Sequence, residues 1–284
     1  MANTYTETLN QLTALLEAAD RVSGAAVIGS RGSGQADQAA DLDVAVFADS
    51  AEGAGELLGA VRWLSPLGRI WASTLDRSEP QLPLRRLLLD DAVQLDLVIL
   101  GPEALPALAG GARRILAEAA RRGFAVVKAG GPVPGGLEEL AAEEARPARP
   151  SQEEFAELVS RFWIDVARVA RRLGRGEVWS ALRLTNGPLK DAMVQMQAWI
   201  TRAVKGADWD TYWDGRHLGT WAGQRFEREL AGAWAAFDED SVRRALIETM
   251  DQFRLQAIQA AQRWALDYPE ALDRRATVWV RTWE

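Results

Sequence analysis

The hydrophobic period of the chain changes once, near residue 150, and that change limits the fold more than any other feature. Before it, apolar residues come in short runs: Ala25–Ile28, Leu42–Phe47, Arg69–Thr74, Arg86–Leu89, Val93–Leu100 and Phe124–Val127. Runs of this length, punctuated by Gly, Pro and Asp, read as β-strands, and the fourth and fifth, separated by Asp90 and Asp91, read as a hairpin. Thr6–Arg21, Glu52–Trp63 and Pro102–Arg122 between them carry helical spacing, the last broken near Gly110 and Gly111. From Gly130 to Pro150 the chain is rich in Gly and Pro with an acidic middle, the composition of a connector. Ser151 and Glu154 then form a capping-box pair ahead of Phe155, Leu158, Phe162 and Val166 at helical spacing. Further long helical patterns cover Glu177–Val204, Ala222–Phe237 and Ser241–Leu266. The expected fold is α+β: a mixed sheet with flanking helices over residues 1–135, a linker over 136–150, and an all-α bundle over 151–284.

Charge and composition narrow the function. A net charge of −7 argues against wrapping duplex nucleic acid, which needs many Lys and Arg at phosphates, and is compatible with a small cationic partner. With no cysteine there are no disulfides, thiolate metal sites or thiol nucleophiles, as a reducing cytoplasm permits. The segment Met1–Asn10 lacks the basic-then-apolar form of a secretion signal. No apolar run approaches the roughly 20 residues that span a bilayer, so a cytoplasmic protein without membrane contact is expected. His217 is the only histidine, so any divalent ion must be held by oxygen ligands, which points toward Mg²⁺.

The segment that carries chemistry is Ile28-Gly29-Ser30, then ten residues, then Asp41-Leu42-Asp43-Val44. Residues two apart on a strand face the same way, so Asp41 and Asp43 present two carboxylates side by side. Paired like charges are unfavourable in a protein interior unless a cation neutralises them. A Gly/Ser loop directly before them is suited to a phosphate: Gly29 lets the backbone come close, and the Ser30 hydroxyl and adjacent N–H groups can donate. A third acid, Asp96, interrupts the otherwise apolar run Val93–Leu100 and needs a reason to be there. If that run pairs with Leu42–Phe47, three carboxylates converge in the arrangement that clamps a phosphoryl transfer with metal ions. An isolated Asp-x-Asp pair is ordinarily a solvated edge, and a Gly-Ser run is ordinarily a loop; their order here is what makes the pattern specific. Neither the P-loop nor the Gly-x-Gly-x-x-Gly spacing is present.

Hydrophobic-Gly-Ser, a spacer, Asp-hydrophobic-Asp-hydrophobic and a later strand Asp is the pattern of the polymerase-β-type nucleotidyltransferase superfamily. Within it the chain resembles the aminoglycoside 6-adenylyltransferases, or streptomycin adenylyltransferases, over nearly its full length. Gly29-Ser30-Arg31 is similar to the family's Gly-Ser-Arg, and Asp41-Leu42-Asp43 to its Asp-x-Asp. Asp91-Ala92-Val93-Gln94-Leu95-Asp96-Leu97 looks like its Asp-Asp-Val-x-Ile-Asp-Leu. Phe162-Trp163, Arg175, Glu177 and Trp199 fall on its Phe-Trp…Arg-x-Glu…Trp pattern, and Tyr268-Pro269 looks like the family's end.

The resemblance implies ATP and Mg²⁺ as cofactors and transfer of AMP to a hydroxyl of a cationic aminoglycoside, with release of pyrophosphate, an antibiotic-resistance activity; a monomer or homodimer is expected. It makes Asp41, Asp43 and Asp96 the metal-holding catalytic acids, with Asp96 or an acid of the helical half as the general base. Gly29, Ser30 and Arg31 are then expected near the triphosphate. Lys190 occupies a family Arg position and is expected at a phosphate as well, without Arg's bidentate fork. Glu177 and Arg175 are the expected substrate contacts.

Departures from the family lie in the helical half. Its Asn-Glu before Phe-Trp is Ser160-Arg161 here, a later Glu is Ala192, and its Gly-Lys-x-x-Lys-like segment is Gly215-Arg216-His217-Leu218-Gly219. A different acceptor, such as a protein side chain or a tRNA end, is therefore the alternative within the same chemistry. A third reading is a non-catalytic, antitoxin-like nucleotide-binding protein, against which all three carboxylates stand. Ten of the twelve Trp residues lie beyond Ser160. Trp163, Trp199 and Trp264 sit in apolar helical patterns and read as core, whereas Trp209, Trp213 and Trp221 lie among Gly and Asp and read as stacking candidates. Asp208, Asp210 and Asp214 in the same stretch are acids that attract ammonium groups, and His217 reads as a surface histidine.

Overall fold

The computed structural model describes residues 2–34, 36–37, 40–143, 149–207, 209–212 and 215–282. They form two compact units, Met1–Glu144 and Ala145–Glu284.

The first unit runs α1 (Ala2–Ala18), β1 (Val22–Ile28), a single turn α2 (Gly29–Gly32), β2 (Leu42–Ala48), α3 (Ala51–Gly59), β3 (Ile70–Asp76), β4 (Leu84–Leu89), β5 (Gln94–Leu100), α4 (Ala104–Ala107), α5 (Gly110–Arg122), β6 (Ala125–Lys128) and α6 (Gly135–Ala142). The six strands make one mixed sheet in the order β3-β4-β5-β2-β1-β6. Only β2 and β5 pair in parallel; every other neighbouring pair is antiparallel. These two strands are near-continuously apolar because both faces of the sheet are covered there. Leu42, Val44, Val46, Leu95 and Leu97 face a core with Leu12, Leu16, Leu57 and Leu64. Ala45, Phe47, Val98 and Leu100 face the other core, with Leu105, Leu116, Leu137 and Leu140. The alternation places Asp43 and Asp96 on this second face, at the start of their strands.

The second unit is all helical: α7 (Gln152–Leu173), α8 (Val178–Asn186), α9 (Pro188–Lys205), α10 (Leu218–Trp221), α11 (Gln224–Gly232), α12 (Glu239–Trp264) and α13 (Glu270–Arg281). The expected capping box closes the start of α7, with the Glu154 N–H donating to Ser151 Oγ at 3.1 Å and the Ser151 N–H donating to Glu154 Oε2 at 3.0 Å. Phe155, Phe162, Trp163 and Val166 of α7 are buried against Leu189, Met193, Met196 and Phe253. Phe162 stacks on Phe253 with ring centroids 3.6 Å apart.

Three elements differ from the sequence reading. The start of the stretch read as a linker is α6, which buries Leu137 and Leu140 against the sheet's second face. The long helix expected over Glu177–Val204 is interrupted at Gly187, because Pro188 has no N–H to continue the ladder and instead starts α9. The helix α13 follows Tyr268-Pro269. It is held to α12 by Asp273, whose carboxylate accepts from Arg254 Nε at 2.7 Å, Arg254 Nη2 at 2.8 Å and the Tyr268 hydroxyl at 3.0 Å. Among the described residues no helix is long and apolar enough to cross a membrane.

Candidate active site

Strand register assembles the site. Ile28 of β1 is opposite Asp43 of β2, Asp43 is opposite Asp96 of β5, and Asp96 is opposite Arg86 of β4. Asp41, two residues before Asp43, falls on the same face. Ligand oxygens of Asp41, Asp43 and Asp96 all lie within 4.8 Å of one another, and among the described residues this is the only such group of three potential metal ligands. Asp96 is the most enclosed of the three, with 4% of its surface exposed.

Gly29 closes the site from the end of β1. Its φ of +70° lies in the left-handed region, and a Cβ at this position would stand 2.7 Å from Asp43 Oδ2. Both facts require glycine, and together they leave open space beside the carboxylate. Ser30 follows, half-buried, in the turn α2, which passes so close to β1 that a Cβ on Gly32 would meet the Val27 carbonyl oxygen at 2.5 Å.

Polar side chains that the sequence reading did not single out complete the cluster. Arg86 grips Asp96, with Nε 3.1 Å from Oδ1 and 3.0 Å from Oδ2, and Nη2 2.9 Å from Oδ2. The hydrogen bond to Asp96 raises the Arg86 pKa above its ordinary value, with the Asp96, Asp76 and Asp41 charges adding to it against partial burial. Gln94 Nε2 reaches Asp96 Oδ1 at 3.3 Å and Asp41 Oδ2 at 3.4 Å, bridging two of the acids. The signal for Gln94 was its position two residues before Asp96, on the same face of β5. Arg86 gave no local signal, because its role depends on the pairing of β4 with β5.

The expected phosphate contacts Arg31 and Lys190 are each engaged within their own unit. Arg31 is tied to the loop ahead of β2: Nε donates to the Ala40 and Asp41 carbonyls at 3.1 Å each, Nη2 donates to Ala40 at 2.6 Å, and the guanidinium lies 4.0 Å over the Tyr5 ring. It thereby fixes the backbone at Asp41. Lys190 is in the second unit, buried between α9 and α12, where its ammonium donates to the Thr249 hydroxyl. Burial pushes the Lys190 pKa down to about 8. Glu177, half-buried at the start of α8, pairs with Arg172, while Arg175 is exposed.

The aromatic candidates divide. Trp163 is buried, and Trp199 packs against the same core. Trp221 is also core, with its Nε1 donating to the Arg216 carbonyl at 3.0 Å, so its Gly-rich surroundings misled the sequence reading. Trp209 is 44% exposed, with the Lys205 ammonium 4.6 Å from its ring. His217 is exposed against Tyr212, and the Asp210 carboxylate accepts from the Tyr212 N–H at 2.8 Å. Asp208, Trp213 and Asp214 lie outside the described residues.

A mixed sheet that ends in a glycine-lined turn beside three converging carboxylates offers a place for a metal ion next to a phosphate, as nucleotidyl transfer requires. The chain belongs to the streptomycin adenylyltransferase family, whose model matches residues 2–282. Similar solved structures include an aminoglycoside 6-adenyltransferase from Bacillus subtilis, 15% identical with a TM-score of 0.48, covering 99% of this chain and 97% of that one. A nucleotidyltransferase-like protein from Exiguobacterium sibiricum 255-15 is 11% identical with a TM-score of 0.37, covering 91% of this chain and 78% of that one. No curated protein sequence matches the chain.

Proposed function

We propose that this enzyme moves the AMP group of ATP to a hydroxyl of a streptomycin-like aminoglycoside and releases pyrophosphate, with Mg²⁺ held by Asp41, Asp43 and Asp96. The observation that carries the reading is the register of β2 with β5, which sets Asp43 opposite Asp96 in a chain of the streptomycin adenylyltransferase family. The donor set fits a small hard cation: the three acids offer only carboxylate oxygens, close enough together to share an ion, and the Gly29 position leaves space beside them. A divalent ion held by these three acids would supply Lewis-acid polarisation of the α-phosphoryl group and would offset charge on the departing pyrophosphate.

The chain's own residues do the rest. Gly29 and Ser30 give the triphosphate a backbone it can approach closely. Arg31 acts from behind, by holding the carbonyls of Ala40 and Asp41 and so fixing where the Asp41 carboxylate starts. In the transfer the acceptor oxygen forms a bond to the α-phosphorus, the bond from that phosphorus to the β-bridging oxygen breaks, and the hydroxyl proton passes to Asp96. The triphosphate contacts are assigned to the first unit, since the Lys190 ammonium is enclosed by α9 and α12. Residues 1–135 would then be the catalytic domain and 151–284 the acceptor-binding domain, with Glu177 and exposed Arg175 as its candidate contacts. The negative net charge favours a small polycation as the acceptor over duplex nucleic acid.

A panel of aminoglycosides incubated with ATP and Mg²⁺ and examined by mass spectrometry tests this. Gain of one AMP by streptomycin supports the full reading. If nucleotide binds and no panel member is modified, the acceptor is of another class, the outcome that Arg161 and Ala192 in place of the family's acids favour. Absence of nucleotide binding would remove the enzymatic reading.

A further inference from the structure

Arg86 is bonded to Asp96 of the carboxylate cluster, and its position follows from register alone, in the row Arg86–Asp96–Asp43 across β4, β5 and β2. Asp96 is 4% exposed and cannot rely on water, whereas the Arg86 side chain is 47% exposed. The two parallel N–H groups of a guanidinium fix the plane of the carboxylate they grip, which a lysine ammonium does not. Among the described residues, the hydrogen bonds of Arg86 all go to Asp96 and none to the turn at Gly29 and Ser30. Three acids this close repel one another, and a buried carboxylate that loses its partner is strongly destabilising.

We propose that Arg86 is a positioning residue of the transfer reaction: its fork sets the plane of the Asp96 carboxylate and supplies the counter-charge that holds the three acids together before a divalent ion binds. The inference rests on the nucleotidyl-transfer reading above. It has two separable consequences. Without Arg86, Asp96 in the metal-free protein loses the counter-charge bonded to it, and a divalent ion restores one. In the loaded enzyme Asp96 keeps its charge balance but loses its orientation.

Arg86→Gln and Arg86→Lys in the full chain test both consequences, by thermal unfolding with chelator and with saturating Mn²⁺ or Mg²⁺, and by steady-state kinetics. For Arg86→Gln the loss in Tm is expected to be larger without metal than with it. Its metal-induced rise in Tm should therefore exceed that of the wild type, since a ligand stabilises in proportion to how tightly it binds the folded state. Its kcat is expected to fall by about 10- to 100-fold, the usual cost of disturbing a group that orients a reacting side chain, with the KM for ATP unchanged. Arg86→Lys keeps the charge without the fork, so its metal response should match the wild type while kcat still falls. A variant that folds only with metal supports the proposal. An equal loss in Tm with and without metal, or wild-type kcat in both variants, overturns it; if Arg86→Gln folds under neither condition, the kcat of Arg86→Lys decides. A wild-type chain that transfers no nucleotide refutes the reaction instead, and the metal dependence of unfolding still decides the role of Arg86 as counter-charge.

Discussion

Gly29→Ala separates the stability of the first unit from its chemistry. The alanine Cβ would stand 2.7 Å from Asp43 Oδ2, so the carboxylate must retreat by about 0.7 Å to reach ordinary contact. The backbone at φ +70° adds the left-handed penalty for a residue with a Cβ, about 1–2 kcal/mol. The steric part is absorbed by the free end of a side chain, so it adds little to unfolding. For a unit of this size the total loss corresponds to a fall in Tm of about 2–8 °C. In the proposed reaction the displaced carboxylate holds the metal, and a misplacement approaching 1 Å costs on the order of 10- to 100-fold in rate. The assay is pyrophosphate release from ATP with streptomycin and Mg²⁺, run beside thermal unfolding of the same preparation. A variant that melts a few degrees lower with its rate intact would refute the argument that Gly29 exists to leave Asp43 its space.

Two further expectations concern the helical unit. Ser151→Ala removes one half of the capping box at the start of α7 and should cost about 1 kcal/mol in denaturant unfolding of that unit with nucleotide transfer unchanged; no loss would mean that packing alone fixes the helix start. Lys190 titrates at about 8 in the fold against an ordinary value of 10.5, so between those values the unfolded chain holds more protons and stability should rise with pH. Below pH 8 the buried charge costs its full amount, roughly 3 kcal/mol. Lys190→Met should therefore be more stable than the wild type at pH 7 and lack the rise; a variant with the same pH profile as the wild type would show that Lys190 is not its source.

The sequence was most informative where chemistry and periodicity coincide. Six short apolar runs correspond to the six strands, and Asp41, Asp43 and Asp96 do meet, because a parallel pairing of two doubly buried strands fixes their register. The capping box at Ser151 was legible because it is a local arrangement. What escaped was set by tertiary context. Arg86 carries no mark until β4 is laid beside β5, since it belongs to the site only through its partner. Arg31 fits a phosphate-binding motif, yet its guanidinium is committed to the Ala40 and Asp41 carbonyls and the Tyr5 ring. Lys190 and Trp221 illustrate the same limit in the bundle: neither a matching family position, for Lys190, nor the composition nearby, for Trp221, says which way the side chain is turned, and both are buried. The helix α13 was missed because its apolar residues are sparse and its anchor, Asp273 with Arg254 and Tyr268, is polar.

Nucleotidyl transfer at the row of acids shared by β2 and β5 can be followed directly with labelled nucleotide. Transfer of label from ATP carrying a radioactive α-phosphate to streptomycin, with Mg²⁺, should be compared between the wild type and Asp43→Asn at matched folded concentration. The expected result is labelled streptomycin and equimolar pyrophosphate with the wild type and neither above background with the variant. A variant that labels the acceptor as fast as the wild type would contradict the placement of the reaction at these carboxylates.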